Sequence, residues 1–271
     1  MQPRDEVAGF VFAPAQNCPY LHILNFKVME SLFSKVKCIA FDADDTLWVN
    51  EPYFRKAEEE YCAVLERFAG REEIIDTLYG IEMKNLAPYG YGAKAFTLSL
   101  METAILFSNK SAVPPLTPSE MLRIIEIGTS LINIPMEILP GVEEVLEDLS
   151  GSGKYTLVVA TKGDLLDQQR KLERSGLAKY FHHIEVMSNK DEAAFSRLLE
   201  HLGCRNDEFL MIGNSMKSDI LPVLNIGGNA IYIPFHSTWE HEKVDGEVQH
   251  PNLYECNSCT ELRTSVPLQS L

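Results

Sequence analysis

The sequence contains no apolar run near the roughly 20 residues that a helix needs to cross a bilayer, and basic residues are scarce. Its 24 Lys and Arg side chains stand against 39 Asp and Glu, which gives a formal net charge of −15. A surface with this charge repels nucleic acid phosphates and anionic lipids. The composition therefore argues against nucleic acid or a membrane as the main partner.

Internal repeats and low-complexity tracts are also absent, and the six cysteines are scattered along the chain. Scattered cysteines are typical of reduced thiols in a cytoplasmic protein rather than of a disulfide framework. The first 34 residues carry Asp5 and Glu6 and lack a basic segment followed by an apolar one, so they predict no secretory signal. We expect a cytoplasmic protein in which residues 1–34 form an N-terminal extension.

Apolar residues are present in the amount that a folded core requires. They make up 45% of the 271 residues, as in an ordinary globular protein. Short apolar runs predict five strands, and helical spacing with terminal glycines separates several of them. The predicted strands are 36–41, 155–160, 184–187, 209–212 and, as the last, 230–233. This alternation predicts an α/β fold with a parallel sheet and helices on both of its faces.

The segment 51–135 interrupts this alternation after the first strand. Apolar residues recur in it at helical spacing, and Thr117-Pro118-Ser119-Glu120 has the pattern of a capping box, which predicts the start of a helix. An inserted helical cap over the sheet is the simplest arrangement. We therefore predict a cap at 51–135 and a core formed by 35–50 and 136–271.

Reactive side chains follow four of the predicted strands, and parallel sheets collect such groups at the carboxyl ends of their strands. Asp42 and Asp44 lie two residues apart in extended backbone, so they point to the same side. They repel each other unless a cation or a shared proton holds them together. The other strand ends supply a hydroxyl, backbone N–H groups before a helix, an ammonium, an amide and a carboxylate: Thr161, Lys162, Gly163, Lys190, Asn214 and Asp219.

Each of these groups alone has an ordinary structural interpretation. An acidic turn after a strand is usually a solvated cap, and a threonine there is more often the N-cap of a helix. A lone lysine before a helix is usually a surface charge, and Gly-Asn-Ser is more often a turn than a ligand set. Their occurrence at the ends of successive predicted strands favours one shared site.

The order of these motifs resembles the haloacid dehalogenase superfamily. The chain has Asp-Ala-Asp-Asp-Thr at 42–46, then Thr161, Lys190, and Gly-Asn at 213–214 followed by Asp219, in family order over about residues 36–233. The resemblance implies a Rossmann-like three-layer α/β/α core. It also implies that the helical segment is the inserted cap of C1 type found in that family.

The resemblance implies a role for each motif. Asp42 would be the nucleophile that forms an aspartyl-phosphate, and Asp44 would protonate the leaving oxygen and then take a proton from water. Lys190 would neutralise the nucleophile and the phosphate, while Thr161 and the backbone of 162–163 would hold phosphoryl oxygens. Dehalogenases of this superfamily lack the second aspartate, so Asp44 favours a phosphatase.

The same resemblance implies Mg²⁺ held by Asp42, by the backbone carbonyl of Asp44 and by the fourth motif. Asn214 stands where many relatives have aspartate, so the site has one negative charge less. Whether Asn214 or Asp219 is the direct ligand is therefore open. The metal and Lys190 would together create a local positive pocket for a dianion in a chain of net charge −15.

The function implied is Mg²⁺-dependent hydrolysis of a small phosphorylated metabolite. One alternative is a phosphomutase or phosphotransferase, which would use the same nucleophile. A second alternative, suggested by the missing negative charge at Asn214, is a catalytically weak binding module on the same fold. Sugar phosphates, nucleoside monophosphates and flavin mononucleotide remain open as substrates, as does the oligomeric state.

Two loops carry weaker signals. Glycines in the loop 89–94 allow close approach to the site, where Lys94 would bind a second anionic group of the substrate; the alternative is a lysine in solvent. The polar and aromatic stretch 236–242 favours a surface loop packed by Trp239 over a metal site.

Overall fold

The structure, a computed structural model, describes residues 35–110, 113–244 and 246–265. The predicted N-terminal extension, residues 1–34, lies outside the described residues. Within the described ranges, no helix combines the length and apolar character that crossing a membrane requires.

Six parallel strands form one sheet in the order β3-β2-β1-β4-β5-β6. The strands are β1 (Cys38–Phe41), β2 (Thr156–Lys162), β3 (His183–Met187), β4 (Phe209–Gly213), β5 (Asn229–Tyr232) and β6 (Leu253–Glu255). Phe41, the last residue of β1, is paired with Val159 of β2 and Ile212 of β4. The carboxyl ends of these central strands therefore meet at one edge, which places Asp42 between the loops of its neighbours.

Helices cover both faces of this sheet. The α-helices of the described residues, of which α5 to α9 pack on the sheet, are α1 (Glu51–Leu65), α2 (Arg71–Tyr89), α3 (Ala93–Lys110), α4 (Pro118–Ser130), α5 (Val142–Gly151), α6 (Leu165–Ser175), α7 (Glu192–Leu202), α8 (Leu221–Asn225) and α9 (Cys259–Ser265). Ile39 and Phe41 face one apolar cluster, which includes residues of α5, α6 and α9, whereas Ala40 faces another, which includes residues of α7 and α8. The predicted three-layer α/β/α fold is confirmed.

The helices α1 to α4 pack around an apolar cluster of their own. At its centre the Tyr61 hydroxyl donates to the Leu100 carbonyl oxygen at 2.8 Å. Thr117 begins α4 with the predicted capping box, because its hydroxyl accepts from the Glu120 N–H while the Glu120 carboxylate accepts from the Thr117 N–H. The separate cluster supports the proposed division into cap and core, which remains a prediction.

The strand predicted as the last is followed by β6, which the sequence analysis missed. β6 has three residues and pairs with β5. A segment of 20 residues separates the end of β5 at Tyr232 from the start of β6 at Leu253. A three-residue strand that follows a long irregular segment is too short to show periodicity in the sequence.

The chain after β4 does not enter an α-helix directly. A wide π-helical turn at Met216–Ile220 precedes α8. The N–H groups of Asp219 and Ile220 both donate to the Ser215 carbonyl oxygen, at 2.8 and 3.2 Å. This turn directs the Asp219 side chain back toward the end of β4.

Candidate active site

Two buried carboxylates share one ammonium at the carboxyl edge of the sheet. Lys190 Nζ donates to Asp42 Oδ1 and to Asp219 Oδ1, the second at 2.6 Å. Asp42, Lys190 and Asp219 are 7%, 4% and 1% exposed. The three residues lie on the loops after β1, β3 and β4, so the parallel sheet brings together groups that are far apart in the sequence.

The electrostatics of this group follow from its excess of negative charge. Burial raises the pKa of Asp42, Lys190 lowers it and Asp219 raises it again, and the balance is a pKa of about 7. Burial lowers the pKa of Lys190, but the charges of Asp219 and Asp42 outweigh burial and raise it. The lysine therefore stays protonated, and two carboxylates facing one ammonium favour a further cation.

The two candidate metal ligands of the fourth motif differ in availability. Asp219 Oδ2 accepts from the Ser215 N–H at 2.9 Å, so both of its oxygens are engaged. Asn214 Oδ1 lies 3.2 Å from Thr46 Oγ1, which is also 3.2 Å from Asp42 Oδ2. Both residues line the cavity at this edge, but among the described residues Asn214 Oδ1 accepts only from the Thr46 hydroxyl, so it is the more available of the two.

Gly213 fixes the position of Asp219, because a Cβ at residue 213 would lie 2.3 Å from Asp219 Oδ2. We expect Gly213→Ala to displace Asp219 from Lys190 and to weaken Mg²⁺ binding by about 10–100-fold, as losses of supporting contacts around a metal do. Calorimetric titration with Mg²⁺ checks this. Gly80→Ala is the control, since a Cβ there meets nothing within 4 Å. Equal Mg²⁺ affinity in both variants would contradict the role given to Gly213.

Asp44 is held by donors from three sides. Its Oδ1 accepts from Lys171 Nζ at 2.9 Å and from Trp48 Nε1 at 2.8 Å, while its Oδ2 accepts from Gln168 Nε2 at 2.8 Å. Burial raises the pKa of Asp44, but the Lys171 charge and these hydrogen bonds outweigh it, so the pKa is lowered. In this state Asp44 is an ionised carboxylate that accepts protons rather than donating them.

The groups predicted to hold a phosphoryl oxygen lie at the end of β2 and line the same cavity as Asp42 and Asp44. Thr161 is buried, and Thr161 and Lys162 belong to the strand itself rather than to the loop after it. Gly163 follows with φ = +131°, a conformation that favours glycine.

The loop that the sequence analysis placed on the surface reaches this cavity. Glu242 accepts from Lys162 Nζ, Ser215 Oγ and Ser218 Oγ, each at 2.5 Å. Burial raises the pKa of Glu242, but Lys162 and the serine hydroxyls lower it to about 2. The Lys162 side chain is thus committed to Glu242.

Lys94 is not brought to the cavity with the other predicted residues. Its Nζ lies 2.8 Å from Asp164 Oδ1, its side chain is 53% exposed, and it does not belong to the cavity wall of the described residues. The structure therefore gives Lys94 a partner other than a second anionic group of a substrate.

The family model of haloacid dehalogenase-like hydrolases matches residues 36–227. A haloacid dehalogenase-like family hydrolase from Xanthomonas campestris is 34% identical, with a TM-score of 0.74, and the match covers 87% of this chain and 94% of that one. A 2-haloacid dehalogenase from Pseudomonas syringae shares the fold at 20% identity and a TM-score of 0.54, with 85% and 97% covered.

A relative with a named activity also matches most of the chain. The glyceraldehyde 3-phosphate phosphatase of Methanothermobacter thermautotrophicus is 26% identical over 203 residues, which cover 73% of this chain and 85% of the relative. The family match spans more than half of the chain and contains all four strand-end motifs, while the loop 236–242 lies outside it. The protein belongs to the haloacid dehalogenase-like hydrolase family.

Proposed function

We propose that this hydrolase is a Mg²⁺-dependent phosphatase that acts on a small phosphomonoester through an aspartyl-phosphate at Asp42. The observation that carries the proposal is the shared ammonium of Lys190 between Asp42 and Asp219, with Asp44 two residues further along. The phosphatase of M. thermautotrophicus supports this reaction class. A cavity of about 190 Å³ suits a small metabolite, since drug-sized ligands fill roughly 300–1,000 Å³.

The first chemical step is attack of an Asp42 carboxylate oxygen on phosphorus. The new oxygen–phosphorus bond forms as the bond to the leaving oxygen breaks. Lys190 holds Asp42 in place and offsets the negative charge that approaches it. The Thr161 hydroxyl and the N–H groups of 162–163 bind the phosphoryl oxygens, which leaves the phosphorus facing Asp42.

Asp44 moves the protons in both steps. It donates a proton to the leaving oxygen, and it then takes one from the water that cleaves the aspartyl-phosphate. Because Lys171, Trp48 and Gln168 engage both of its oxygens, Asp44 must leave Lys171 and gain a proton before the first step. We assign that rearrangement to substrate entry, which changes the charge balance beside Asp44.

The residues at this edge fit a Mg²⁺ ion. Its preferred ligands are oxygens, and the edge offers Asp42 Oδ2, Asn214 Oδ1 and the Asp44 carbonyl, with Asp219 held behind them. When bound, Mg²⁺ supplies positive charge that offsets an incoming phosphate dianion. A phosphate dianion needs such added positive charge to bind here, because ten carboxylates but only three ammonium groups of the described residues line the cavity.

Mg²⁺ binding should depend on pH through Asp42. Its pKa of about 7 means that a proton occupies the carboxylate at pH 6 and is largely lost at pH 8. We therefore expect Mg²⁺ affinity to rise about tenfold from pH 6 to pH 8, because metal and proton compete for one group. Calorimetry at both pH values checks this. Asp42→Asn should bind more weakly and without that dependence, and a wild-type affinity that is flat with pH would contradict the assignment.

The reaction class is tested by assaying two kinds of product. We expect phosphate release from p-nitrophenyl phosphate and from small phosphorylated metabolites, dependent on Mg²⁺ and abolished by a chelator. We expect no halide release from 2-chloropropionate. Halide release without phosphate release would assign the protein to the dehalogenases instead.

A further inference from the structure

The cavity continues from the catalytic aspartates into the helices above them. We call this part the helical end; it is lined by Glu51, Phe54, Glu58, Glu82, Asn85 and Phe96. A leaving group attached to a phosphate at Asp42 would extend into this part. The chemistry of its wall therefore selects the leaving group of the proposed phosphatase.

The charge on this wall is negative. Glu51, Glu58 and Glu82 line the helical end, whereas no lysine or arginine of α1 to α4 does so among the described residues. The nearby Arg55 lies outside the wall, where it pairs with Glu51 at 2.9 Å and with Glu58 at 3.2 Å. Glu82 has neither an ion pair nor a hydrogen bond among the described residues, so its carboxylate is available to a ligand.

A second observation points to a ligand that donates hydrogen bonds. Asn85 is 5% exposed and lines the helical end. Its amide nitrogen donates to Ser99 Oγ at 3.1 Å and to Glu102 Oε1 at 3.2 Å, which uses both of its hydrogens. Its carbonyl oxygen accepts no hydrogen bond from the described residues, yet it is not one of their buried side-chain atoms that lack a partner, so it is reachable from the cavity. An open acceptor at the cavity wall is available to a ligand that supplies the donor.

Aromatic rings complete the wall. Phe54 and Phe96 lie edge to face with their centroids 5.2 Å apart. The electron-rich faces of such rings attract cations, ammonium groups included. Burial and the charges of Glu58 and Glu51 also raise the pKa of Glu82 to about 8, and a bound cation would relieve that repulsion.

We propose that the preferred substrate is a phosphomonoester whose leaving group carries a cationic nitrogen and no second anionic group. The carboxylates of Glu58 and Glu82 and the Asn85 carbonyl oxygen bind the nitrogen, and Phe54 and Phe96 pack around it. This inference rests on the proposed phosphatase activity. It also agrees with the position of Lys94, which pairs with Asp164 instead of offering a charge to a second anion.

Three substrates of nearly equal size test the proposal at pH 8 with Mg²⁺. They are 2-aminoethyl phosphate, 2-hydroxyethyl phosphate and phosphoglycolate, whose leaving groups are cationic, neutral and anionic. We expect kcat/KM to fall in that order, with the cation preferred over the neutral group by about tenfold, the factor that a charged hydrogen bond typically gives. Equal rates, or a preference for phosphoglycolate, would overturn the proposal.

Two variants connect the preference to this wall. Glu82→Gln should lower the ratio of kcat/KM for the aminoethyl ester to that for the hydroxyethyl ester to near one. Glu72→Gln, an exposed position on the same helix, should keep the wild-type ratio. Because the ratio compares two substrates in one preparation, a partly unfolded sample does not change it. An unchanged ratio in Glu82→Gln would remove Glu82 from the site.

The assay separates this inference from the function on which it rests. If none of the three esters and no p-nitrophenyl phosphate is hydrolysed, the proposed phosphatase activity is wrong. If phosphate is released without a preference for the aminoethyl ester, the activity holds and the cationic leaving group is wrong.

Discussion

Asp42→Asn should lower Mg²⁺-dependent phosphate release by at least about 10³-fold, because the amide cannot form the covalent intermediate. The change is nearly isosteric. It also removes one of the two carboxylates that compete for Lys190, so the remaining pair of Lys190 and Asp219 is balanced in charge. We therefore expect the variant to be at least as resistant to heat and urea as the wild type, since the site no longer holds excess buried charge.

The measurement combines steady-state assays with trapping of the intermediate. Wild-type protein quenched in acid during turnover of a ³²P-labelled ester should carry covalent label, whereas Asp42→Asn should carry none. Asp76→Asn, an exposed position on α2, is the matched control and should retain both activity and labelling. Label on Asp42→Asn, or full activity, would show that another residue is the nucleophile.

The parallel sheet and its active edge could be predicted because local patterns carry them. Each central strand is a short apolar run that stops at a reactive residue, and parallel pairing brings such ends together. In the structure, Phe41 at the end of β1 pairs with Val159 of β2 and Ile212 of β4, so the ends of these strands lie side by side. The convergence of Asp42 and Lys190 could therefore be predicted from the position of each at the carboxyl end of a parallel strand.

Two of the residues that hold Asp44 were missed because they belong to a helix rather than to a strand end. Gln168 and Lys171 are one turn apart on α6 and are buried, on the side of the helix that also carries Leu172. Polar residues at helical spacing beside an apolar one look like the edge of a solvent-facing surface. What distinguishes Gln168 and Lys171 from surface residues is their burial, which is seen only once α6 is packed on the sheet.

The helical end of the cavity could not be found from the sequence. Glu58 belongs to a run of three glutamates in α1, and Glu82 lies in α2 two residues before Lys84. In a sequence, such charges indicate a solvated helix face. Only the packing of α1 on α2 turns Glu58 and Glu82 toward one cavity, so the wall that selects the leaving group depends on tertiary contacts.

Lys190→Met should have the largest effect on stability. It leaves Asp42 and Asp219 buried without the ammonium that they share, a change that typically costs about 3–5 kcal/mol. Without the Lys190 charge, which lowers it, the pKa of Asp42 should rise further above its usual value in the folded state, so the folded protein binds more protons than the unfolded chain. The stability should therefore be retained at low pH and lost as pH rises through the folded pKa of Asp42.

Urea unfolding of Lys190→Met at pH 5.5 and pH 8 measures this dependence. The midpoint should be close to that of the wild type at pH 5.5 and clearly lower at pH 8, while activity is absent at both. Lys154→Met, at an exposed position, should unfold like the wild type at both pH values. A Lys190→Met protein with wild-type stability at pH 8 would mean that Asp42 and Asp219 find another partner. The site would then hold no excess of buried negative charge. The predictions of Mg²⁺ binding and of its pH dependence, which both require that excess, would be wrong.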